Sequence, residues 1–376
     1  MKISLIQENL AKALNYCNRA VSTRPNIPVL ANVLIEAEKD KLKLSATNLE
    51  VGITMWIGAT VGETGKLTVS AKLLAEFVNS LHPGKIDMTQ TGQTLEVNSV
   101  DNTAQFVVIP AEDFPRVPSA EGDPIMEINA GELARAIEQT AFAASTDESR
   151  PVLTGILITA ENKQLNMVAV DGFRLSKKNL KLEKVLKVDN FKEIVPARSL
   201  TEVAKLVRDN AADKDFVRVY YLGNKNQMLF KIGEVDLSTR LIEGDFPDYE
   251  KIMPKEKSLR FRAKKDEFAD SLKVVTIFAR NVVGNKARVK VDTETEKLSL
   301  SASVVDVGKN ESMVNLEAVE GENFETGYNV RFLTDMVNTL SGSEFVFETN
   351  GPTAPGVFLD PKDPEYIHII MPMRLD

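Results

Sequence analysis

The sequence has one cysteine, Cys17, and two histidines, His82 and His368, far apart along the chain. A single cysteine excludes an internal disulfide and points to a reducing compartment, so a cytoplasmic location is expected. So few histidines and cysteines cannot supply the clustered ligands of a zinc site, and no metal or other cofactor is expected. No apolar run approaches the roughly 20 residues that cross a bilayer. The opening MKISLIQENL lacks the apolar core and small-residue cleavage site of a secretory leader. Also missing are a glycine-rich phosphate loop with its lysine, a G-x-S-x-G elbow and an H-E-x-x-H pair. The sequence therefore carries none of the common signatures of nucleotide hydrolysis, acyl transfer or metal-assisted proteolysis.

What is present is ordinary in amount. Of 376 residues, 43% are hydrophobic and 27% charged, enough for two to three globular domains. The net charge of −8 argues against a uniformly basic nucleic-acid binder. It does not exclude one basic face on an acidic body, because only the facing surface meets a phosphate.

The informative feature is repetition. PVLANVLIEA (28–37) and PVLTGILITA (151–160) agree at six of ten positions, against about one for unrelated stretches. LKLSA (42–46), LNMVA (165–169) and LSLSA (298–302) recur with the alternation of half-buried strands. VSAKLLAEFVNSL (69–81), VPARSLTEVAKLV (195–207) and NVRFLTDMVNTL (329–340) share an i, i+3, i+4 apolar stripe. Leu73, Leu74, Phe77, Val78 and Leu81 of the first match Phe332, Leu333, Met336, Val337 and Leu340 of the third. A basic residue opens each helix: Lys72, Arg198 and Arg331. A second helix per unit follows Leu10, Ala13, Leu14 and Cys17, then Leu133, Ala136, Ile137 and Thr140, then Phe268, Ser271, Leu272 and Val275. The units run 1–122, 123–255 and 256–376, joined by RVPSAEGDP (116–124) and KIMPKEKS (251–258). Each reads as α+β, two helices laid on mainly antiparallel strands, so the fold expected is three copies of one domain.

Two polar clusters invite chemical readings. Asp245, Asp248 and Glu250 in GDFPDYE have the chemistry to hold Mg²⁺, but an acidic turn beside proline accounts for them as well. Asp171 and Arg174 in VDGFRL suit an acid and a substrate clamp, or a local ion pair after a strand. The last residues, HIIMPMRLD, pose a different question, because termini are usually polar and this one carries Ile369, Ile370, Met371 and Met373.

The threefold repeat, RPNIPVLANVLIEA, AVDGFRLS, GDFPDYEKIMP and the terminal IIMPMRL together resemble the bacterial DNA polymerase III beta subunit family, over the whole chain. The resemblance implies a non-catalytic processivity factor of three domains per chain. Two chains pair head to tail into a ring, helices inside and sheets outside, around duplex DNA. Such a ring needs phosphate contacts, which carry no sequence information. By position these come from Lys12, Arg24, Lys72, Arg198, Lys205 and Arg331. Some members have paired tyrosines where this chain has Pro151 and Val152.

The resemblance also implies a groove for short linear peptides of the replicative polymerase, the clamp loader and repair proteins. Its residues here are Leu153, Val170, Gly172, Phe173, Arg174, Leu175, Pro247, Ile252, Ile369, Ile370, Met371, Pro372, Met373 and Arg374. Methionines suit a groove that accepts several related ligands. Arg174 and Arg374 are expected to serve acidic or carbonyl groups of the peptide. Val170 and Phe173 stand where others have threonine and histidine, and Lys251 where others have arginine. Phe106, Ile277 and Phe278 are candidate contacts between protomers. A repeat scaffold that binds proteins without encircling DNA is the alternative.

Overall fold

The computed structural model describes residues 1–22, 27–161, 163–182, 190–212, 214–254, 256–304 and 308–375. Six helices occur among them: α1 (Gln7–Cys17), α2 (Ala71–Ser80), α3 (Ala130–Thr140), α4 (Ala197–Asn210), α5 (Lys265–Ala279) and α6 (Val330–Thr339). Each begins directly after a strand. Side-chain caps satisfy otherwise orphaned first-turn N–H groups. Ser70 accepts from Leu73 in α2, Asn129 from Glu132 in α3, and Asn329 from Arg331 in α6.

The stripes read from sequence face the core with one exception. Leu10, Ala13, Leu14 and Cys17 of α1 are buried, and burial pushes the Cys17 thiol up to about 12, so it is an inert core group. In α2 the buried face is Ala71, Leu74, Ala75 and Val78, whereas Leu73 is 55% exposed. At 100° per residue, Leu73 lies roughly 150° from the middle of that buried face, on the far side of the helix. Its counterpart Phe332 is half-buried.

The chain forms two compact units, out of step with the repeats. Unit one is Met1–Ala134, Leu182–Asp189 and Arg198–Leu241; unit two is Arg135–Lys181, Asn190–Ala197 and Ile242–Asp376. Unit one holds a five-stranded and an eight-stranded sheet, both antiparallel. In the latter, Val51–Gly58 of the first repeat pairs with Val235–Arg240 of the second, Val51 opposite Thr239. Unit two holds a twelve-stranded sheet. There Arg174–Lys181 of the second repeat pairs with Asp363–Ile370 of the third, Arg174 opposite Ile370 and Leu175 opposite Ile369. The middle repeat thus gives half its strands to each unit. Beneath α5 and α6, Phe261, Phe345, Phe347, Phe358 and Tyr328 form a buried aromatic core, Phe261 and Phe347 stacked at 4.9 Å. Among the described residues no helix is long and apolar enough to cross a membrane.

Candidate functional site

The strand Gln164–Val170 of unit two ends in a tight turn. The N–H groups of Phe173 and Arg174 each donate to Asp171 Oδ1 at 2.9 Å, and Gly172 takes φ +92, a conformation that favours glycine. The turn leaves Phe173 65% exposed. The terminal residues attach here: Met371 N–H donates to the Phe173 carbonyl at 2.8 Å. They then cross to the strand Phe324–Asn329, where Met373 and Gly327 exchange N–H···O bonds of 2.8 and 3.2 Å. Lys286 Nζ holds the Arg374 carbonyl at 3.1 Å. Met373 Cε would lie 2.5 Å from a Cβ at Gly284, so that glycine makes room for the methionine. The apolar terminus is a tethered strap, not a frayed end.

Beside this turn, Leu157, Val168, Val170, Leu175, Ile194, Phe246 and Ile369 form a buried cluster. Val152, Ile242, Tyr249, Met253, Val357 and Ile367 pack on it and remain partly exposed. Val170, Leu175 and Ile369 of the expected groove therefore share one floor. Leu153 is buried, Ile252 half-buried and Pro247 exposed. Ile370, on the opposite side of its strand, belongs to the aromatic core. Met371 and Arg374 are exposed, while Pro372 and Met373 are half-buried. Sequence reasoning missed Phe246, Tyr249 and Met253, although all three stand in GDFPDYEKIMP.

Arg174 Nε donates to Asp171 Oδ2 at 3.0 Å, Nη1 to Asp335 Oδ2 at 2.5 Å and Nη2 to the Phe142 carbonyl at 2.6 Å. The guanidinium lies over Phe142 and Phe332, 5.3 and 4.4 Å from the ring centroids. With three of its five donors committed and the side chain 11% exposed, Arg174 ties the turn to Asp335 and to the Phe142 carbonyl. Asp171 is its ion-pair partner. In GDFPDYE, Asp248 pairs with Lys251 at 2.9 Å, and that bond lowers its carboxyl. Among the described residues no three potential ligands cluster closely enough to hold a metal ion.

His368 lies behind Arg174. It is fully buried, Nδ1 is 2.9 Å from Ser176 Oγ, and its ring packs on Phe142 at 5.2 Å. Burial, and then the charge of Arg174, hold its pKa down to about 3. The folded protein thus keeps the imidazole neutral, while the unfolded chain protonates it near 6.5. Stability present above pH 6.5 should fall as pH drops toward 3. Between pH 7 and 5 the loss should be roughly 2 kcal/mol. Denaturant midpoints should show this slope in the native chain and a flatter one in His368→Gln; equal slopes would rule His368 out as the source.

The basic candidates fall on the two helix sets. Lys72, Arg198 and Arg331 are each the second residue of α2, α4 and α6, and all three are exposed. A cation at a helix N-terminus opposes the macrodipole by about 0.3 to 1 kcal/mol. Helix stability therefore does not explain its recurrence. Lys72 lies 3.8 Å from Glu76, in the weaker Lys-before-Glu order. Lys12 lies 5.7 Å from the Tyr16 ring, and Lys205 Nζ donates to Glu202 at 2.7 Å. Arg24 lies outside the described residues.

Of the candidate protomer contacts, Phe106 is buried in its own unit, edge-on to Phe77 at 5.6 Å. Its neighbour Val107 is 79% exposed instead, on the edge strand Thr103–Val107, because alternate strand residues point to opposite faces. Ile277 is 53% exposed with Val274 beside it at 44%, while Phe278 is half-buried against the core. Residues 308–314 of the strand Gly308–Gly321 pair on one side only among the described residues.

Three family models cover this chain: the N-terminal domain of the DNA polymerase III beta subunit over residues 1–118, its central domain over 127–248 and its C-terminal domain over 250–374. The beta sliding clamp of Synechococcus elongatus is 30% identical over the full length of both chains. That of Staphylococcus aureus is 26% identical over all of this chain and 99% of its own. Among solved structures, the Bacillus subtilis DNA polymerase sliding clamp has the same fold, with TM-score 0.93 at 24% identity, both chains covered in full. A Pseudomonas aeruginosa sliding clamp bound to griselimycin gives TM-score 0.92 at 26% identity, again over both chains in full. Threefold repetition, sheets shared across repeats and matches along the whole length make this chain a member of the DNA polymerase III beta subunit family, the beta sliding clamps.

Proposed function

We propose that this chain is a non-catalytic cytoplasmic processivity factor. Two copies associate head to tail, and residues 1–122, 123–255 and 256–376 of each supply six clamp domains around duplex DNA. The observation that carries the reading is the cation at the second position of α2, α4 and α6. It recurs where it costs helix stability, which supports a shared external anion. Phosphates reached by Lys12, Arg24, Lys72, Arg198, Lys205 and Arg331 suit that role, because sliding needs contacts without base readout. Glu202 tempers Lys205, so Lys72, Arg198 and Arg331 carry most of the attraction.

Head-to-tail closure has support on each end of the chain. The edge strand Thr103–Val107 of one copy faces residues 308–314 and the exposed Val274 and Ile277 of the other in this reading. An unpaired strand edge is stable when another strand covers it, and closed cyclic symmetry leaves neither edge open. The partly open apolar cluster beside the tethered tail is then the site through which the polymerase, the clamp loader and repair proteins are held, by short linear motifs.

Loading onto nicked circular DNA with a clamp loader tests the reading. The protein should stay on the circle through a high-salt wash and leave once the DNA is linearised. Alanine at Lys72, Arg198 and Arg331 together should reduce loading similarly on all DNA sequences and flatten its salt dependence. Equal retention on circular and linear DNA would instead indicate a scaffold that does not encircle.

A further inference from the structure

Each compact unit contains the same corner, built twice. In unit one, Asn48 Oδ1 accepts from the N–H groups of Glu50 and Val51 at 3.0 and 2.8 Å. This is the turn that Asp171 makes in unit two. In unit one the Arg240 N–H donates to the Glu50 carbonyl at 2.9 Å, as Met371 does to Phe173 in unit two. Glu202 is the sixth residue of α4 and Asp335 the sixth residue of α6. An arginine on an aromatic ring lies beside each acid: it donates to Asp335 in unit two, and in unit one it lies 3.6 Å from Glu202 while donating to Asp209. The arginines come from different places.

In unit one the grip is Arg19, the middle residue of the short turn Asn18–Ala20. It lies 3.6 Å from Glu202 and 5.0 Å from the Tyr16 ring centroid. The residue closing the Asn48 turn is Val51, which has no polar side-chain atom to offer α4. In unit two the middle residue of the equivalent short turn, Ala141–Ala143, is Phe142, and the grip has moved to Arg174, which closes the turn itself. Val51 therefore cannot fasten the turn of unit one to α4 as Arg174 fastens the turn of unit two to α6.

We propose that Asp335, with Phe332 beside it, is a positioning residue of the peptide groove. Asp335 holds Arg174, and Arg174 holds the Asp171–Arg174 turn. The Phe173 carbonyl on that turn holds Met371, where the tail starts. The proposal rests on the groove reading above. Asp335 itself lies outside the apolar floor and is 41% exposed, so its loss should leave the unit folded. What it supplies is order in a wall otherwise anchored by main-chain hydrogen bonds and by Lys286 on the Arg374 carbonyl, and order of that kind acts mainly on dissociation.

Three variants separate this from a plain structural role: Asp335→Ala, Asp335→Glu and, as the control in the equivalent corner, Glu202→Ala. Two readouts apply, amide hydrogen exchange at Phe173, Arg174 and Met371, and dissociation of a Gln-Leu-x-Leu-Phe peptide. Asp335→Ala should speed exchange at these amides by about tenfold and peptide release by about tenfold. Asp335→Glu should restore both to within about threefold, by returning a carboxylate to Arg174. Glu202→Ala should leave both within about twofold, because its corner belongs to the other compact unit. If Asp335→Ala lowers the unfolding temperature as Glu202→Ala does but leaves exchange and release unchanged, the acid is structural and the proposal fails. If exchange responds while even the native chain does not bind the peptide, the groove reading fails and the positioning of the turn stands.

Discussion

Truncation after Ile370 is expected to lower affinity for a Gln-Leu-x-Leu-Phe peptide by about 100-fold while the dimer still forms. Burying a leucine and a phenylalanine is worth roughly 3 to 6 kcal/mol before ordering costs. Half of the upper figure, about 3 kcal/mol, corresponds to about 100-fold. The tail, the proposed wall, is also a tether: it joins the Phe173 carbonyl to Gly327 and Lys286, so removing it frees the turn as well. Met373→Ala should reproduce part of the loss, because its methyl group packs over Gly284. Arg374→Ala should change little in high salt, since the structure uses that residue's carbonyl and leaves the side chain exposed. Isothermal titration gives the affinity and sedimentation the dimer. Unchanged affinity in a dimeric truncated chain would make the methionines mere packing and move the groove elsewhere.

The strand alternation and the Asp171–Arg174 pair were legible in the sequence; the more distant ties of Arg174 were not. Val170, Leu175 and Ile369, named from the resemblance, share one face, as the period of their paired strands requires. Ile370 is the necessary counterexample, one residue on and therefore on the opposite face, in the aromatic core. The ties of Arg174 to Asp335 and Phe142 were not legible because those partners are distant in sequence. No local pattern announces a guanidinium whose donors are already taken. Phe106 packs into its own unit while Val107 faces out, and Ile369 and Ile370 likewise point to opposite sides, because strand parity sets which residue faces which way.

The repeats were legible because each rests on local periodicity. The helix stripes at 69–81, 195–207 and 329–340 appear as α2, α4 and α6. The regrouping into two units was not legible. It depends on which strand ends find partners across a repeat boundary, Val51 with Thr239 and Arg174 with Ile370. Those pairings join similar edges of similar sheets. Nothing in the strand sequences marks one such edge as internal to a repeat and another as shared.

The shared seam of unit two makes a second large effect expected: Asp363→Ala should destabilise that unit by about 3 to 5 kcal/mol. Lys178 projects from Arg174–Lys181 of the middle repeat and is 6% exposed. Its ammonium donates to Asp363 Oδ1 on the neighbouring strand of the third repeat. Gln139 Nε2 donates to the other oxygen at 3.0 Å, with Arg135 at 3.6 Å. Burial alone would raise the Asp363 carboxyl. Hydrogen bonds from Lys178 and Gln139, with the charges of Lys178 and Arg135, outweigh it and hold the group below the ordinary carboxylate range. Taking the carboxylate away strands the Lys178 ammonium, and an unpaired buried charge costs far more than the pair contributes. Lys178→Met combined with Asp363→Leu should therefore recover most of the loss, because neither charge is then left alone. Denaturant unfolding of both variants decides it. If the double variant is as unstable as Asp363→Ala, the seam depends on the carboxylate's hydrogen bond to Gln139 and not on compensating the lysine.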